Sequence, residues 1–345
     1  MLTELAFRAL LFRDVPGLSR VAARLRQPGN FYERTDPGYW LASAHFRALR
    51  REPPDEGLHP TLGWISRVVD RETFAHDAES LLLDRRPVLL FGDSFAQCTT
   101  AQKDCWEGQL QRSELRRSHL LLNYGVGGYG LGQIYLLLRN ALPRFAGRDP
   151  IVVVGIYVDD DLDRAVLPLR GRPKPRFEVR DGRLVEPDPL PAGIGPYLSE
   201  NPLKAPSWVW RYLLHGTGLL PARWRDDGGA HRREVEELTR ALLEALRADL
   251  TDSGHEWFVL LLHGQVASSE RRDRVWQHAF LTETLKELGI PYVSSRDALD
   301  RHRDATGTDP ALYFGERGRQ RGHYTPLGNE AVFEALLEGL KGDVR

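Results

Sequence analysis

Short apolar runs separated by amphipathic stretches constrain the fold of this 345-residue chain more than any other feature. Four runs are prominent and a fifth is weaker: 87–91 (PVLLF), 120–123 (LLLN), 151–158 (IVVVGIYV), 257–262 (WFVLLL) and 290–293. Continuous rather than alternating apolar runs are typical of strands covered on both faces. Helical periodicity fills the intervals, at 233–250, 268–288 and 327–340. Strands that alternate with helices predict an α/β domain with a parallel, doubly wound sheet.

The strand pattern begins only after residue 84, which suggests where the α/β domain starts. Residues 1–84 show little strand pattern and carry clusters of aromatic residues, Pro and Gly, so we expect an N-terminal extension that wraps over a core. Residues 85–345 form the predicted α/β domain. Within it, 165–205 is predicted to be an insertion with a hairpin, because Asp181-Gly182 lies between two short alternating stretches. That dipeptide favours a type I′ turn.

Composition disfavours several classes of protein. Lys and Arg total 47 against 48 Asp and Glu, and a net charge of −1 argues against a nucleic-acid partner. No apolar run approaches the roughly 20 residues of a transmembrane segment. The N-terminus lacks the apolar core of a secretory signal, so a cytoplasmic location is expected, with export or membrane-surface association left open. Two cysteines exclude a disulfide-rich scaffold, and Cys98 and Cys105 could either pair or remain thiols.

Ligands of open α/β sheets bind beyond the carboxyl ends of the strands, so the segments that follow the strands are the candidate site. Residues 92–95 (GDSF) and 159–161 (DDD) follow strands and carry polar side chains. Residues 322–325 (GHYT), before the last helix, are polar as well. Residues 123–130 (NYGVGGYG), at the end of another strand, are rich in glycine. A serine between a strand end and a helix start lies near free amides and a positive dipole end, which suits developing negative charge. Glycines allow bare amides to approach a substrate, and an imidazole can accept a hydroxyl proton and return it to a leaving group.

In this order, the four segments resemble the SGNH, or GDSL-type, hydrolase family over roughly residues 85–345. The resemblance implies a flavodoxin-like three-layer sandwich with a central parallel sheet. It implies Ser94 as nucleophile, His323 as base, and an oxyanion hole formed by the amides of Ser94 and Gly128 with the side chain of Asp159. The implied activity is serine-dependent ester hydrolysis through an acyl-enzyme, without a cofactor, on a small-molecule or carbohydrate acyl ester.

The expected partner of the base histidine is absent from its usual place. The family usually carries an Asp two or three residues before this histidine, where the present chain has Arg321 and Gln320. The nearest upstream carboxylates, Asp309 and Glu316, are candidates to orient His323, as are Gln320 and a backbone carbonyl. The absence matters because losing the acid of a triad can cost on the order of 10⁴-fold in rate.

Asp159 is the second departure, since the family usually has Asn at this position. An ionised carboxylate would repel an oxyanion, whereas a protonated one could donate a hydrogen bond to it. Burial beside Asp160 and Asp161 would raise the pKa of at least one of these acids. The three acids do not predict a metal site, because consecutive side chains point in different directions.

Other functions fit parts of the same pattern. An O-acyltransferase acting on a glycan would use the same residues as the hydrolase, and a non-catalytic binding protein could retain the fold with a degenerate site. Taken alone, Ser94 could be only a helix N-cap. The glycine-rich segment lacks the G-x-G-x-x-G spacing of a dinucleotide loop, so a nucleotide cofactor is not expected.

Overall fold

The computed structural model describes residues 2–13, 15–49, 58–221, 224, 229–265, 275–316, 318 and 321–342. Within these ranges the strands are β1 (Arg86–Gly92), β2 (His119–Gly125), β3 (Ile151–Tyr157), β4 (Leu169–Arg170), β5 (Arg172–Pro173), β6 (Glu178–Arg180), β7 (Arg183–Val185), β8 (Glu256–Leu262) and β9 (Tyr292–Ser294). The α-helices in the same ranges are α1 (Leu2–Phe12), α2 (Ser19–Leu25), α3 (Pro37–Leu49), α4 (Ser94–Gln97), α5 (Trp106–Arg112), α6 (Leu131–Ala141), α7 (Asp161–Ala165), α8 (Ile194–Glu200), α9 (Trp208–His215), α10 (Ala230–Asp252), α11 (Trp276–Glu287), α12 (Ser295–Thr306) and α13 (Pro326–Leu340).

A five-stranded parallel sheet in the order β2-β1-β3-β8-β9 is the centre of the fold. The five apolar runs identified in the sequence correspond to these five strands, which confirms the predicted α/β class. Counted along the chain, the order is 2-1-3-4-5, the doubly wound order of flavodoxin. In such a sheet the crevice for a ligand opens where the strand order reverses, at the carboxyl ends of β1 and β3. The polar segments that begin at Asp93 and Asp159 follow these two strands.

Buried side chains from the sheet and from helices form an apolar core. Val88, Val153 and Leu260 of three neighbouring strands pack in the same cluster as Trp106 of α5 and Leu336 of α13. Each of these side chains is fully buried. Burying a side chain of this size stabilises the fold by about 1.5–3 kcal/mol, and the sheet is therefore a rigid platform for the loops at its edge.

The predicted helices occur with small shifts in their ends. The stretch 233–250 lies within α10, and 327–340 lies within α13. The Thr325 hydroxyl accepts a hydrogen bond from the amide of Gly328 at 3.2 Å and caps α13. Of the stretch 268–288, residues 268–274 lie outside the described ranges, and the rest forms α11. No helix in the described part of the chain is long and apolar enough to cross a membrane.

The chain divides into two compact units whose boundaries differ from those predicted. The helical unit comprises Met1–Trp64, Leu167–Arg176 and Pro187–Val235, and the sheet unit comprises Ile65–Val166, Phe177–Glu186 and Glu236–Arg345. Part of the proposed insertion therefore joins the N-terminal segment in a unit of its own. Residues 65–84, assigned to the extension from the sequence, belong to the sheet unit.

The helical unit has its own aromatic core. Phe31 and Trp208 are fully buried and pack edge to face with ring centroids 5.4 Å apart. Glu4 of α1 accepts hydrogen bonds from the Trp208 amide at 2.9 Å and from the Ser207 hydroxyl at 2.8 Å. The first helix of the chain thereby caps α9, about 200 residues later.

The predicted hairpin is present in the sheet unit. β6 and β7 pair antiparallel around Asp181-Gly182, and Arg180 faces Arg183 across the turn. Both turn residues have positive φ, +52° and +72°, as a type I′ turn requires.

Candidate active site

Ser94 lies at the carboxyl end of β1, as the first residue of the short helix α4. The preceding Asp93 is the N-cap, and its Oδ1 accepts a hydrogen bond from the amide of Phe95 at 2.8 Å. The helix sits very close to the sheet, because a Cβ at Gly92 would lie 2.5 Å from Cβ of Ala96. A Cβ at Gly125 would lie 2.3 Å from the amide nitrogen of Gln97. Only glycine fits at these two strand ends, and this places the serine directly above the edge of the sheet.

Three further contacts hold α4 in place. The Asn123 side chain donates to the carbonyl of Ala96 at 3.0 Å, and the Trp106 indole donates to the carbonyl of Phe95 at 3.3 Å. Cys98, directly after the helix, forms a disulfide with Cys105, with the Cα atoms 5.8 Å apart. The question of pairing left open by the sequence is thereby answered. α4 has only four residues, so these anchors rather than helical hydrogen bonding determine its position.

His323 reaches Ser94 from a loop near the other end of the chain. Its Nε2 lies 2.8 Å from the Ser94 Oγ, although the two residues are 229 positions apart. The loop is fixed by a hydrogen bond from the Gly315 amide to the His323 carbonyl at 2.8 Å. The Phe95 ring packs against the imidazole with centroids 4.8 Å apart. The structure thus brings together the two residues for which the sequence predicted a joint role.

No carboxylate among the described residues pairs with Nδ1 of His323. Nδ1 is buried and has no hydrogen-bond acceptor of good geometry among the described residues. Burial and, to a smaller extent, the positive charge of Arg164 lower the pKa of His323, while the negative charge of Asp93 and the carbonyl of Arg321 raise it. Burial outweighs both, so the imidazole is neutral near neutral pH and Nε2 is able to accept a proton.

The structure does not bring the two candidate orienting acids to His323. Asp309 caps the short 3-10 helix Pro310–Tyr313, where its carboxylate accepts the amide of Ala311 at 2.9 Å, and it is exposed. Glu316 is exposed too and forms no ion pair or hydrogen bond with the imidazole. The third candidate, Gln320, lies outside the described residues.

A buried arginine organises the acidic residues around Ser94, and the sequence analysis missed it. The Nη1 atom of Arg164 lies 2.8 Å from Asp93 Oδ2 and 2.9 Å from Asp161 Oδ1. Its Nη2 atom lies 2.7 Å from Asp160 Oδ2. The side chains of Asp93 and Asp161 are 0% exposed. The three- and four-residue spacings from Asp161 and Asp160 to Arg164 were visible as a helical ion-pair signal, whereas the contact with Asp93 spans 71 residues.

The charges of this cluster shift one another's pKa values. Burial raises the pKa of Asp161 well above its usual value, and the neighbouring Asp93 raises it further, against the opposing effect of Arg164. Burial alone would lower the pKa of Arg164, but Asp161, Asp93 and Asp160 outweigh it and raise that pKa. The arginine is therefore a permanent positive charge within the site.

Asp93 is the carboxylate nearest to the dyad. Its Oδ2, which contacts Arg164, also lies 3.3 Å from the Ser94 Oγ. The single hydroxyl proton of Ser94 cannot serve two acceptors, and the shorter distance favours Nε2 of His323. A carboxylate at this position without a counter-ion would disfavour negative charge on the Ser94 Oγ. Arg164 is the counter-ion of Asp93.

The glycine-rich segment passes beside Ser94. A Cβ at Gly127 would lie 3.7 Å from Cβ of Ser94, and the Gly127 amide donates to Gln97 Oε1 at 3.1 Å. Gly128 follows in the same turn with φ +82°. Within the described residues, the amides of Ser94 and Gly128 have no acceptor. Two amides from the predicted oxyanion set are thus available for a ligand.

Asp159 lies two residues after the end of β3 and is half-buried. Its Oδ1 accepts a hydrogen bond from the amide of Gly264 at 3.3 Å. This contact connects it to the loop after β8, and its role towards an oxyanion stays a prediction.

Comparisons with known proteins found similarity in structure but not in sequence. The sequence matches no protein-family model and no curated protein. Solved structures similar to the chain include an α/β hydrolase enzyme from the metagenome of Lake Arreo (13% identity, 74% of this chain and 95% of that one, TM-score 0.41). They also include an acetylxylan esterase from Geobacillus stearothermophilus (14%, 74% and 94%, TM-score 0.37). A third is a member of the lipolytic protein G-D-S-L family from Veillonella parvula (14%, 73% and 96%, TM-score 0.40).

Proposed function

We propose that this chain is a serine-dependent ester hydrolase in which Ser94 is the nucleophile and His323 the general base. The 2.8 Å contact between the Ser94 Oγ and His323 Nε2 carries the proposal. A nucleophile within hydrogen-bond reach of a base is the arrangement that acyl transfer requires. Residues 229 positions apart do not meet through local chain geometry.

The first half of the reaction forms an acyl-enzyme. The Ser94 Oγ attacks the ester carbonyl carbon as its proton moves to His323 Nε2, and the carbonyl oxygen becomes an oxyanion. The amides of Ser94 and Gly128 donate to that oxyanion, and one such donor contributes about 3 kcal/mol to the stability of the transition state. The intermediate then collapses: the carbon–oxygen bond to the alcohol breaks, and the leaving oxygen takes the proton from Nε2.

The second half returns the enzyme to its starting state. Nε2 accepts a proton from water while the water oxygen attacks the acyl carbon of the Ser94 ester. The bond to Oγ then breaks, Oγ takes the proton back from Nε2, and the carboxylic acid leaves. The imidazole accepts and donates one proton in each half, so no further acid or base is required.

Asp93 provides part of the electrostatic stabilisation that the acid of a catalytic triad provides. Its charge raises the pKa of His323, so it stabilises the imidazolium that forms in both transition states. Asp93 acts on the imidazole electrostatically from the side of Ser94, and it does not bind Nδ1. We therefore propose a Ser94–His323 dyad with electrostatic support from Asp93, acting on a small-molecule or carbohydrate acyl ester.

The test is turnover of p-nitrophenyl acetate by the wild-type protein and by Ser94→Ala and His323→Ala. Both variants should lose activity by several orders of magnitude. A fluorophosphonate probe should label the wild type at Ser94, identified by peptide mass spectrometry, and should not label Ser94→Ala. Acetate released without any alcohol acceptor identifies hydrolysis rather than transfer. A folded Ser94→Ala variant with undiminished turnover would end the proposal.

A further inference from the structure

Two tryptophans of the helical unit expose about half of their side chains to solvent. The chain has eight tryptophans, and of these Trp210 and Trp224 are the exposed ones, at 49% and 52%. Both line one cavity of about 890 Å³, and their rings lie 6.2 Å apart with an interplanar angle of 34°. Trp208, two residues before Trp210 on α9, is 1% exposed and belongs to the core. Apolar surface exposed in a concavity, rather than scattered, is a mark of a binding site.

Nine further residues of the lining are polar, and they carry both signs of charge. They provide three carboxylates, two guanidinium groups, two imidazoles and two hydroxyl groups: Glu33, Asp36, Glu234, Arg211, Arg232, His215, His231, Thr35 and Ser207. The lining therefore offers both hydrogen-bond donors and hydrogen-bond acceptors to a ligand.

Much of this charge is compensated within the helical unit itself. Arg211 Nη1 lies 3.9 Å from Asp36 Oδ2, and His215 Nδ1 lies 3.7 Å from Glu33 Oε1. Glu234 pairs with Arg176 at 2.5 Å. A site for an anion would need an excess of positive charge, and a site for an organic cation would need an excess of negative charge. With Arg176 included, three guanidinium groups match the three carboxylates of the lining, so the charge pattern suits an uncharged ligand.

We propose that this cavity binds a neutral oligosaccharide, with pyranose rings stacked on Trp210 and Trp224. A pyranose ring has an apolar face of C–H groups that matches an indole, and a rim of hydroxyl groups that both donate and accept hydrogen bonds. The carboxylates and guanidinium groups around the indoles supply the matching acceptors and donors. The volume lies in the range of about 300–1,000 Å³ that is usual for ligand pockets, which suits a chain of a few sugar units.

This binding needs none of the chemistry of Ser94, so it stands apart from the proposed esterase activity. The experiment therefore uses full-length Ser94→Ala protein, in which a bound sugar cannot be deacylated. Titration with xylohexaose, cellohexaose and mannohexaose is followed by tryptophan fluorescence and isothermal calorimetry, with hexagalacturonic acid as the charged counterpart. At least one neutral hexasaccharide should bind, with a change in indole emission, and the acidic one should bind more weakly.

Substitutions locate the binding. Trp210→Ala and Trp224→Ala should each weaken binding by about tenfold or more, as truncation of a central aromatic contact does. Trp210→Phe should retain part of the affinity, because a smaller aromatic face remains. The matched control is Leu219→Ala, an apolar residue of the helical unit that is 76% exposed and does not line the cavity. It should bind as the unsubstituted protein does, and circular dichroism checks that every variant is folded.

Several outcomes would overturn the proposal while leaving the esterase test untouched. One such outcome is that no neutral hexasaccharide binds. Another is that both alanine variants bind with the same affinity as the unsubstituted protein, and a third is that the acidic sugar binds more tightly than the neutral ones. A change of oligomeric state in Trp210→Ala, seen by light scattering and without any sugar affinity in the parent, would identify the surface as a contact between protein chains instead.

Discussion

Arg164→Met would leave the buried carboxylates next to Ser94 without their counter-ion. Methionine retains the length and much of the volume of the side chain, so the main change is the loss of charge and of hydrogen bonds. Asp93 and Asp161, both 0% exposed, lie 2.8 and 2.9 Å from the same guanidinium nitrogen. Removing one partner of a buried ion pair costs about 3–5 kcal/mol, because the other charge stays in a low-dielectric environment. We expect the free energy of unfolding to fall by this amount near neutral pH.

The pH dependence of this loss has a definite sign. Asp161 already has a raised pKa in the folded protein, and because Arg164 opposes that shift, Asp161 should take up a proton still more readily in its absence. A group whose pKa is higher when folded contributes stability at low pH that is lost as pH rises through that pKa. The deficit of Arg164→Met should therefore be smaller at about pH 5 than at about pH 7.5.

Urea denaturation at the two pH values measures both effects. The control is Arg240→Met, which removes an exposed ion pair to Glu287 with side chains 41% and 49% exposed. That pair should contribute less than about 1 kcal/mol. A deficit for Arg164→Met no larger than the control, or one that grows as the pH falls, would refute the view of Arg164 as the counter-ion of buried carboxylates.

Three further predictions concern the reaction and its scaffold. Because burial lowers the pKa of His323, kcat/KM should rise with pH through a value below 6.5 and then level off; an acid limb centred above neutral pH would contradict this. Asp159→Asn should preserve or raise kcat and Asp159→Ala should lower it on the order of 10²-fold, if Asp159 donates to the oxyanion. Equal damage in both would indicate an ionised carboxylate, and no effect in either would remove the residue from the site. Cys98→Ser should lower the free energy of unfolding by about 2–3 kcal/mol, as expected for a short closed loop, yet retain measurable turnover. Complete loss of turnover in the folded variant would argue against a purely structural disulfide.

The sheet was predictable because its strands are local signals. Each central strand is covered on both faces, so its buried residues appear as an unbroken apolar run, as in Ile151–Tyr157. The helical unit was not predictable in the same way, because it depends on contacts between distant segments. The cap that Glu4 provides to Trp208 spans 204 residues, and no local pattern announces it.

The residues of the candidate site also fall into two groups, those that local sequence patterns indicate and those that depend on contacts between distant segments. Ser94 lies at a strand end and His323 lies just before a helix. Their proximity could therefore be predicted from the α/β pattern and the family resemblance. Arg164 could be located as a helical partner of Asp161, but its contact with Asp93 requires the folded sheet. Asp309 does not orient His323, because its carboxylate caps the 3-10 helix Pro310–Tyr313.

The tight fit of α4 against Gly92 and Gly125 has a consequence for reading mutational data. Any side chain at either strand end must displace the backbone or the Cβ of α4, and with it the hydroxyl of Ser94. In a saturation mutagenesis screen scored by activity, these two glycines would be as intolerant as the nucleophile itself, although neither takes part in bond making. A stability-scored screen of the same library would separate the two kinds of position, since Ser94→Ala keeps the fold intact while alanine at Gly92 strains it. A screen scored by activity alone would therefore assign too many residues to the catalytic centre. The residues assigned in error would lie at the ends of β1 and β2.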